Sequence, residues 1–160
     1  MKSAGLRFLV LSALALTLAG CSGGSDTPTD PGRGSLRVVV TPSPILAQKV
    51  PGTSRTYDFP FELALTEMGG RSVTLSSIIL ELKALGIPVF TRKYDVAYLR
   101  ERNYSPLIPA SSTVRYSFNP RDEAIDAVFS STVEADIRAE GMDDLGNAVR
   151  QTTTVSVRRN

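Results

Sequence analysis

Beyond residue 35 the chain alternates apolar and polar side chains with a period of two. Leu36, Val38 and Val40 share one parity, with Arg37, Val39 and Thr41 on the other. The clearest run follows: Tyr57, Phe59, Phe61, Leu63 and Leu65 against Asp58, Pro60, Glu62, Ala64 and Thr66. Such alternation predicts half-buried β-strands, because successive side chains point to opposite faces of a sheet. Pro42 and Pro44 lack the amide hydrogen a ladder needs, so they predict an edge or a change of sheet. Pro60 predicts an unpaired edge or a bulge. Pro51-Gly52 is a turn signal, and Met68-Gly69-Gly70-Arg71 predicts a hairpin turn.

The return strand from Val73 to Leu82 switches its apolar parity near Ser76-Ser77, which predicts a bulge. Gly86 ends it, and Ile87 to Thr91 suits a short strand. Within Tyr94–Arg102, Asp95 suits the cap of a helical turn that points Val96 and Leu99 inward. Ser105-Pro106 and Ile108-Pro109 mark a loop, and Val114, Tyr116 and Phe118 make another strand. Asn119-Pro120-Arg121-Asp122-Glu123 has a capping Asn, a first-turn Pro and first-turn acids, so it predicts one or two helical turns with Ile125, Val128 and Phe129 on one face. Val133, Ala135, Ile137 and Ala139 then face in, while Thr132, Glu134, Asp136, Arg138 and Glu140 face out. A turn over Gly141–Asn147 leads to a last strand carrying Val149, Thr153, Val155 and Val157.

The pattern gives about seven strands and one short helix, an all-β chain arranged as a two-sheet antiparallel sandwich. Tyr57-Asp58-Phe59-Pro60-Phe61-Glu62-Leu63, the hairpin through Gly69-Gly70 and the turn Asp144-Leu145-Gly146-Asn147 resemble the immunoglobulin-like domains of bacterial surface and periplasmic proteins. The antibody-type tryptophan, disulfide and tyrosine corner are absent from the sequence. Architecture of this kind conveys no activity by itself.

The first residues follow another rule. Lys2 and Arg7 precede an uncharged run of Phe8, Leu9, Val10, Leu11, Ala13, Leu14, Ala15, Leu16 and Leu18. A membrane-crossing helix needs about 20 apolar residues, and this core is roughly half that. It reads as a secretion signal. Its end, Leu18-Ala19-Gly20-Cys21, resembles the lipobox of bacterial lipoproteins. That resemblance implies cleavage before Cys21, a diacylglycerol thioether on its sulfur and an acyl chain such as palmitate on the new amino terminus. Two or more chains, at ~0.8 kcal/mol per buried CH₂, anchor durably. Ser22 stands where an Asp would retain a lipoprotein at the inner membrane, so the resemblance implies the outer membrane of the cell envelope. Ser22 to Ser35 is almost free of apolar side chains and reads as a flexible tether reaching ~20 Å. The expected organisation is a signal over 1–20, a lipidated cysteine and tether over 21–35, and one domain over 36–160.

Composition narrows the chemistry. The net charge is +2, and Lys2 and Arg7 belong to the signal, so the mature chain is near neutral and gives no support for nucleic-acid binding. Cys21 is the one cysteine, and there is no histidine. Ser-His-Asp and Cys-His catalysis are therefore excluded, and the usual zinc ligand sets are missing. No cofactor is expected. Asp143, Asp144 and Asn147 are weak candidates for Ca²⁺, since they share a turn, but Asp and Asn also suit such turns for backbone reasons. Glu134, Asp136 and Glu140 on one strand face offer carboxylates for a glycosidase-like enzyme, yet outward charges are ordinary on a solvated sheet.

The richest neighbourhood for binding is Arg92, Lys93, Tyr94, Tyr98, Arg100, Arg102 and Tyr104, cations interleaved with aromatics. The leading expectation is a non-catalytic, lipid-anchored envelope module for adhesion, scaffolding or partner binding, touching the membrane through acyl chains and an envelope protein or polymer through that cluster. The alternatives are a subunit of a larger assembly docked through an edge strand near Pro42–Val50, and a carboxylate-based enzyme.

Overall fold

A computed structural model describes residues 32–123, 129 and 132–160. The signal, Cys21 and the tether as far as Pro31 lie outside the described residues, as do Ile125 and Val128. The described residues form eleven strands and one short helix. No helix among them is long and apolar enough to cross a membrane.

Two sheets share one core. The smaller holds β1 (Leu36–Thr41), β4 (Phe61–Glu67) and β8 (Thr113–Phe118), in the order β1-β4-β8. The larger holds β2 (Ile45–Lys49), β3 (Thr56–Asp58), β5 (Val73–Ala84), β6 (Ile87–Asp95), β7 (Leu107–Ile108), β9 (Arg121–Glu123), β10 (Val133–Asp143) and β11 (Ala148–Arg159). Its order is β6-β5-β10-β11-β2-β3-β9, with β7 paired beside β5. The inward parities meet between the sheets: Leu63, Leu65, Tyr116 and Phe118 from one, Leu75, Leu80, Ala135 and Ile137 from the other, all buried in one cluster. An all-β, two-sheet body is thus correct. The strand number exceeds the expected seven, and the sheets are not wholly antiparallel, because β2 runs parallel to β11 from Ile45↔Val157 to Ala47↔Arg159.

Prolines and glycines move the chain between sheets. The Pro42–Pro44 stretch carries it from β1 in the small sheet to β2 in the large one, as their missing donors allow. The single long run expected over Tyr57–Thr66 is two strands. It changes sheet at Phe59-Pro60, yet Tyr57, Phe59, Phe61, Leu63 and Leu65 all stay buried. The Gly69-Gly70 segment is not a hairpin turn: β4 pairs with β1 and β8, β5 with β6, β7 and β10, and the glycines bridge the two sheets. Strand β2 pairs with β11 through Ile45–Ala47 and with β3 through Gln48–Lys49.

The parity switch in β5 is a bulge. Glu140 pairs with Ser77 and Gly141 with Leu75, which leaves Ser76 as the extra residue. A Cβ on Gly141 would stand 2.4 Å from the Thr74 carbonyl oxygen, so only glycine fits there. The described start of the strongest capping signal is strand rather than helix. Arg121–Glu123 is strand β9, paired with β3 and pinned by Arg121, whose Nε and Nη2 donate to Asp58 at 2.7 and 2.9 Å. A ladder and a bidentate ion pair outweigh local helix preference there. The observed helix is α1 (Val96–Glu101), and Asp95 caps it by accepting from the Tyr98 amide at 2.9 Å. Leu99 is buried beneath it.

Candidate functional site

The two ends of the small sheet differ in chemistry. At one end, near Leu36, Glu67 and Thr113, the chain enters the body. Glu67 is 1 % exposed, and its carboxylate accepts from five backbone amides: Ser35, Gly69, Gly70, Arg71 and Ser111, at 2.7 to 3.2 Å. Burial opposes its ionisation, but these amides outweigh burial and hold its pKa below the usual carboxylate range. Asp143 works in the same way. It accepts from the amides of Gly34, Leu145 and Asn147 and from the Asn147 side chain, at 2.8 to 3.0 Å, and these bonds outweigh desolvation to hold its pKa far down. Arg71 completes the end by donating to the Gly32 carbonyl and pairing with Asp144. Gly34 and Ser35, expected in a free tether, are therefore bound to the body.

The Ca²⁺ candidates all have partners within the chain. The Asp143 oxygens face four N–H donors, Asp144 pairs with Arg71, and Asn147 donates its amide rather than presenting its oxygen. No group of acids and other ligating side chains suited to a metal occurs among the described residues. Of the β10 candidates Glu134, Asp136 and Glu140, the last two are also engaged. Asp136 takes Lys83 Nζ and the Thr154 hydroxyl, both at 2.6 Å, and Glu140 pairs with Arg138 and Arg150. They form an ion-pair network on a sheet face rather than a converging acid pair.

The opposite end carries open aromatic surface. A groove of about 570 Å³ runs along it, with Pro42, Pro60, Phe61, Tyr98, Tyr104 and Phe118 as its apolar lining and Gln48, Glu62, Arg102, Ser117 and Asn119 as polar lining. Strand register explains the assembly: Thr41 lies across from Glu62, and Glu62 from Ser117, in one row at the end of β1, β4 and β8. Rings pack behind the row. Tyr94 packs tilted against Phe118 at 4.4 Å and against Tyr98 at 4.9 Å, and Phe118 meets Phe61 at 5.3 Å. The Arg102 guanidinium lies over the Tyr98 ring, 5.6 Å from its centroid, and has no ion pair among the described residues. Glu62 is paired with Arg115.

Of the seven residues singled out in the sequence, the fold brings Tyr98, Arg102 and Tyr104 into this groove. Tyr94 is instead 4 % exposed and supports the wall from behind, across the ladder from buried Ile78. Its hydroxyl has no hydrogen-bond partner among the described residues, and burial pushes its pKa well above the usual phenol range. Arg92 stacks over Phe90, and Arg92, Lys93 and Arg100 are exposed away from the groove lining. Sequence reading missed Phe61, Phe118, Pro42 and Pro60 as site residues. Their signal, prolines interrupting aromatic strands, was visible but reads first as a break in a ladder.

The chain matches no protein-family model and no curated protein sequence. It does share its fold with solved structures. A structural-genomics target designated SoR45 superposes with a TM-score of 0.54 at 12% identity, over 80% of this chain and 88% of the other. A Bordetella pertussis protein described as ApaA superposes with a TM-score of 0.51 at 13% identity, over 77% and 89%. At such identities the likeness extends to the fold alone.

Proposed function

We propose that this chain is a lipid-anchored, non-catalytic module of the bacterial cell envelope, held by acyl chains on Cys21, whose immunoglobulin-like sandwich binds a partner in the aromatic groove. The observation that carries this reading is the placement of that groove. It lies at the end of β1, β4 and β8 remote from Gly32, where the described chain begins, and six residues of β1 separate the two ends. A strand of that length spans roughly 20 Å. A body tethered at the first end would therefore present the groove away from its own membrane. The groove has what a recognition surface needs: two half-buried tyrosine rings, an exposed arginine without an acid partner among the described residues, and a polar rim. The engagement of Glu67 and Asp143 at the other end, and of Asp136 and Glu140 on β10, favours a binding role over a catalytic one.

Two experiments test the reading. Cys21→Ser, followed by cell fractionation, should move the protein from the envelope to the soluble fraction; unchanged membrane association would refute the anchor. Isolation of the anchored protein in mild detergent should recover a stoichiometric partner from wild type. Arg102→Glu should lose it. Recovery unaffected by that change would refute the groove as the binding surface.

A further inference from the structure

We propose that the groove takes an extended, proline-containing polypeptide segment bearing an acidic side chain. This rests on the reading of the groove as a binding surface and names what it binds. Strand β8 is an edge of the small sheet, where an extended ligand could add as a further strand. The structure blocks that route. The Tyr104 hydroxyl accepts from the Ser117 amide at 3.1 Å and donates to the Ser117 carbonyl at 3.0 Å, occupying both backbone groups where β8 meets the groove. A ligand must instead be held through its side chains and carbonyls.

A polyproline helix meets that requirement. It needs no ladder, its backbone carbonyls point outward, and its rings pack between aromatic ridges. The half-buried rings of Tyr98 and Tyr104 supply ridges, with Phe118 buried behind them, and Pro42 and Pro60 extend the apolar floor. The amides of Gln48 and Asn119 stand at the rim as donors for carbonyls. Charge then selects among such segments. Glu62 is already neutralised by Arg115, whereas Arg102 has only the Tyr98 ring among the described residues, so the net complement it presents is to an anion. A preformed polyproline segment also loses little entropy on docking, which suits a shallow trough.

The test is calorimetric titration of the full chain in detergent micelles with three synthetic nonapeptides. One is polyproline with a central Asp, the second has Lys in its place, and the third surrounds the Asp with Gly and Ser. The Asp-proline peptide should bind saturably, and each of the others about tenfold more weakly or worse. Arg102→Glu, an exposed change that should leave the circular dichroism unaltered, should reverse the order of the two proline peptides. Absence of binding, equal binding of the Gly-Ser peptide, or an order unchanged by Arg102→Glu would overturn the proposal. Loss of the cellular partner in Arg102→Glu together with no peptide binding would overturn the ligand class and leave the groove standing as a partner site. Partner recovery unaffected by the variant would remove both.

Discussion

The two ends of the small sheet use their polar groups in opposite ways. Around Glu67 and Asp143, carboxylates are buried and each oxygen faces donors from this chain. Around Tyr98 and Tyr104, half-buried rings line a groove, and Arg102 lacks an acid among the described residues. Satisfied polar groups at one end fix the course of the chain. Unmatched ones at the other leave free energy available for a partner. The contrast explains why an acidic turn that looked like a ligand site is architecture, and why a mixed basic-aromatic stretch contributes to a surface.

Changes at the first end should therefore damage the fold, and changes at the second should not. The largest effect is expected for Glu67→Ala, which orphans five amides. Charged hydrogen bonds contribute about 1.5–3 kcal/mol each, and partial rewetting would recover some of that, so a loss of at least about 3 kcal/mol is expected in denaturant unfolding. Gly69→Ala comes next. Its Cβ would stand 2.0 Å from the Arg33 carbonyl oxygen, and the backbone shift should cost about 1–3 kcal/mol.

Acid should weaken the same end. Glu67 and Asp143 have folded pKa values below their unfolded values near 4. Their stabilisation is thus fully present above the unfolded values and is lost as pH falls through the folded ones. The thermal midpoint should fall between about pH 5 and pH 2. A Glu67→Gln, Asp143→Asn pair should start lower at neutral pH and fall less steeply. A steeper fall in the double variant would contradict the assignment.

The groove end should yield the smallest changes in stability. Tyr94→Phe removes a buried hydroxyl without a partner among the described residues, so stability should hold or rise by up to about 1 kcal/mol. Arg102→Glu should alter unfolding by no more than about 0.5 kcal/mol while changing what is bound.

Much of the fold was legible because burial follows the period of two. The inward and outward sets of β10 match the sequence parity residue by residue, and the bulge at Ser76 announced itself as a parity switch. What alternation cannot encode is the partner of a strand. Phe59 and Phe61 keep one parity across a change of sheet, and Gly69-Gly70 looks the same whether it reverses a hairpin or bridges two sheets. Capping residues at Asn119–Glu123 misled because the Asp58–Arg121 pair is long-range. The cradle of Glu67 was invisible, since amides from Ser35, Gly69 and Ser111 converge only after folding. The groove was half legible for the same reason: Tyr98, Arg102 and Tyr104 are near in sequence, but Pro42, Phe61 and Phe118 reach them through strand register.

The most direct measurement is position-resolved photocrosslinking in living cells, with a photoreactive side chain at Gln48 on the groove rim or at Ser72 beside the Glu67 cradle. The account predicts one discrete adduct from position 48, suppressed by Arg102→Glu, and none from position 72. Equal adducts from both positions, or an adduct from position 72 alone, would contradict it.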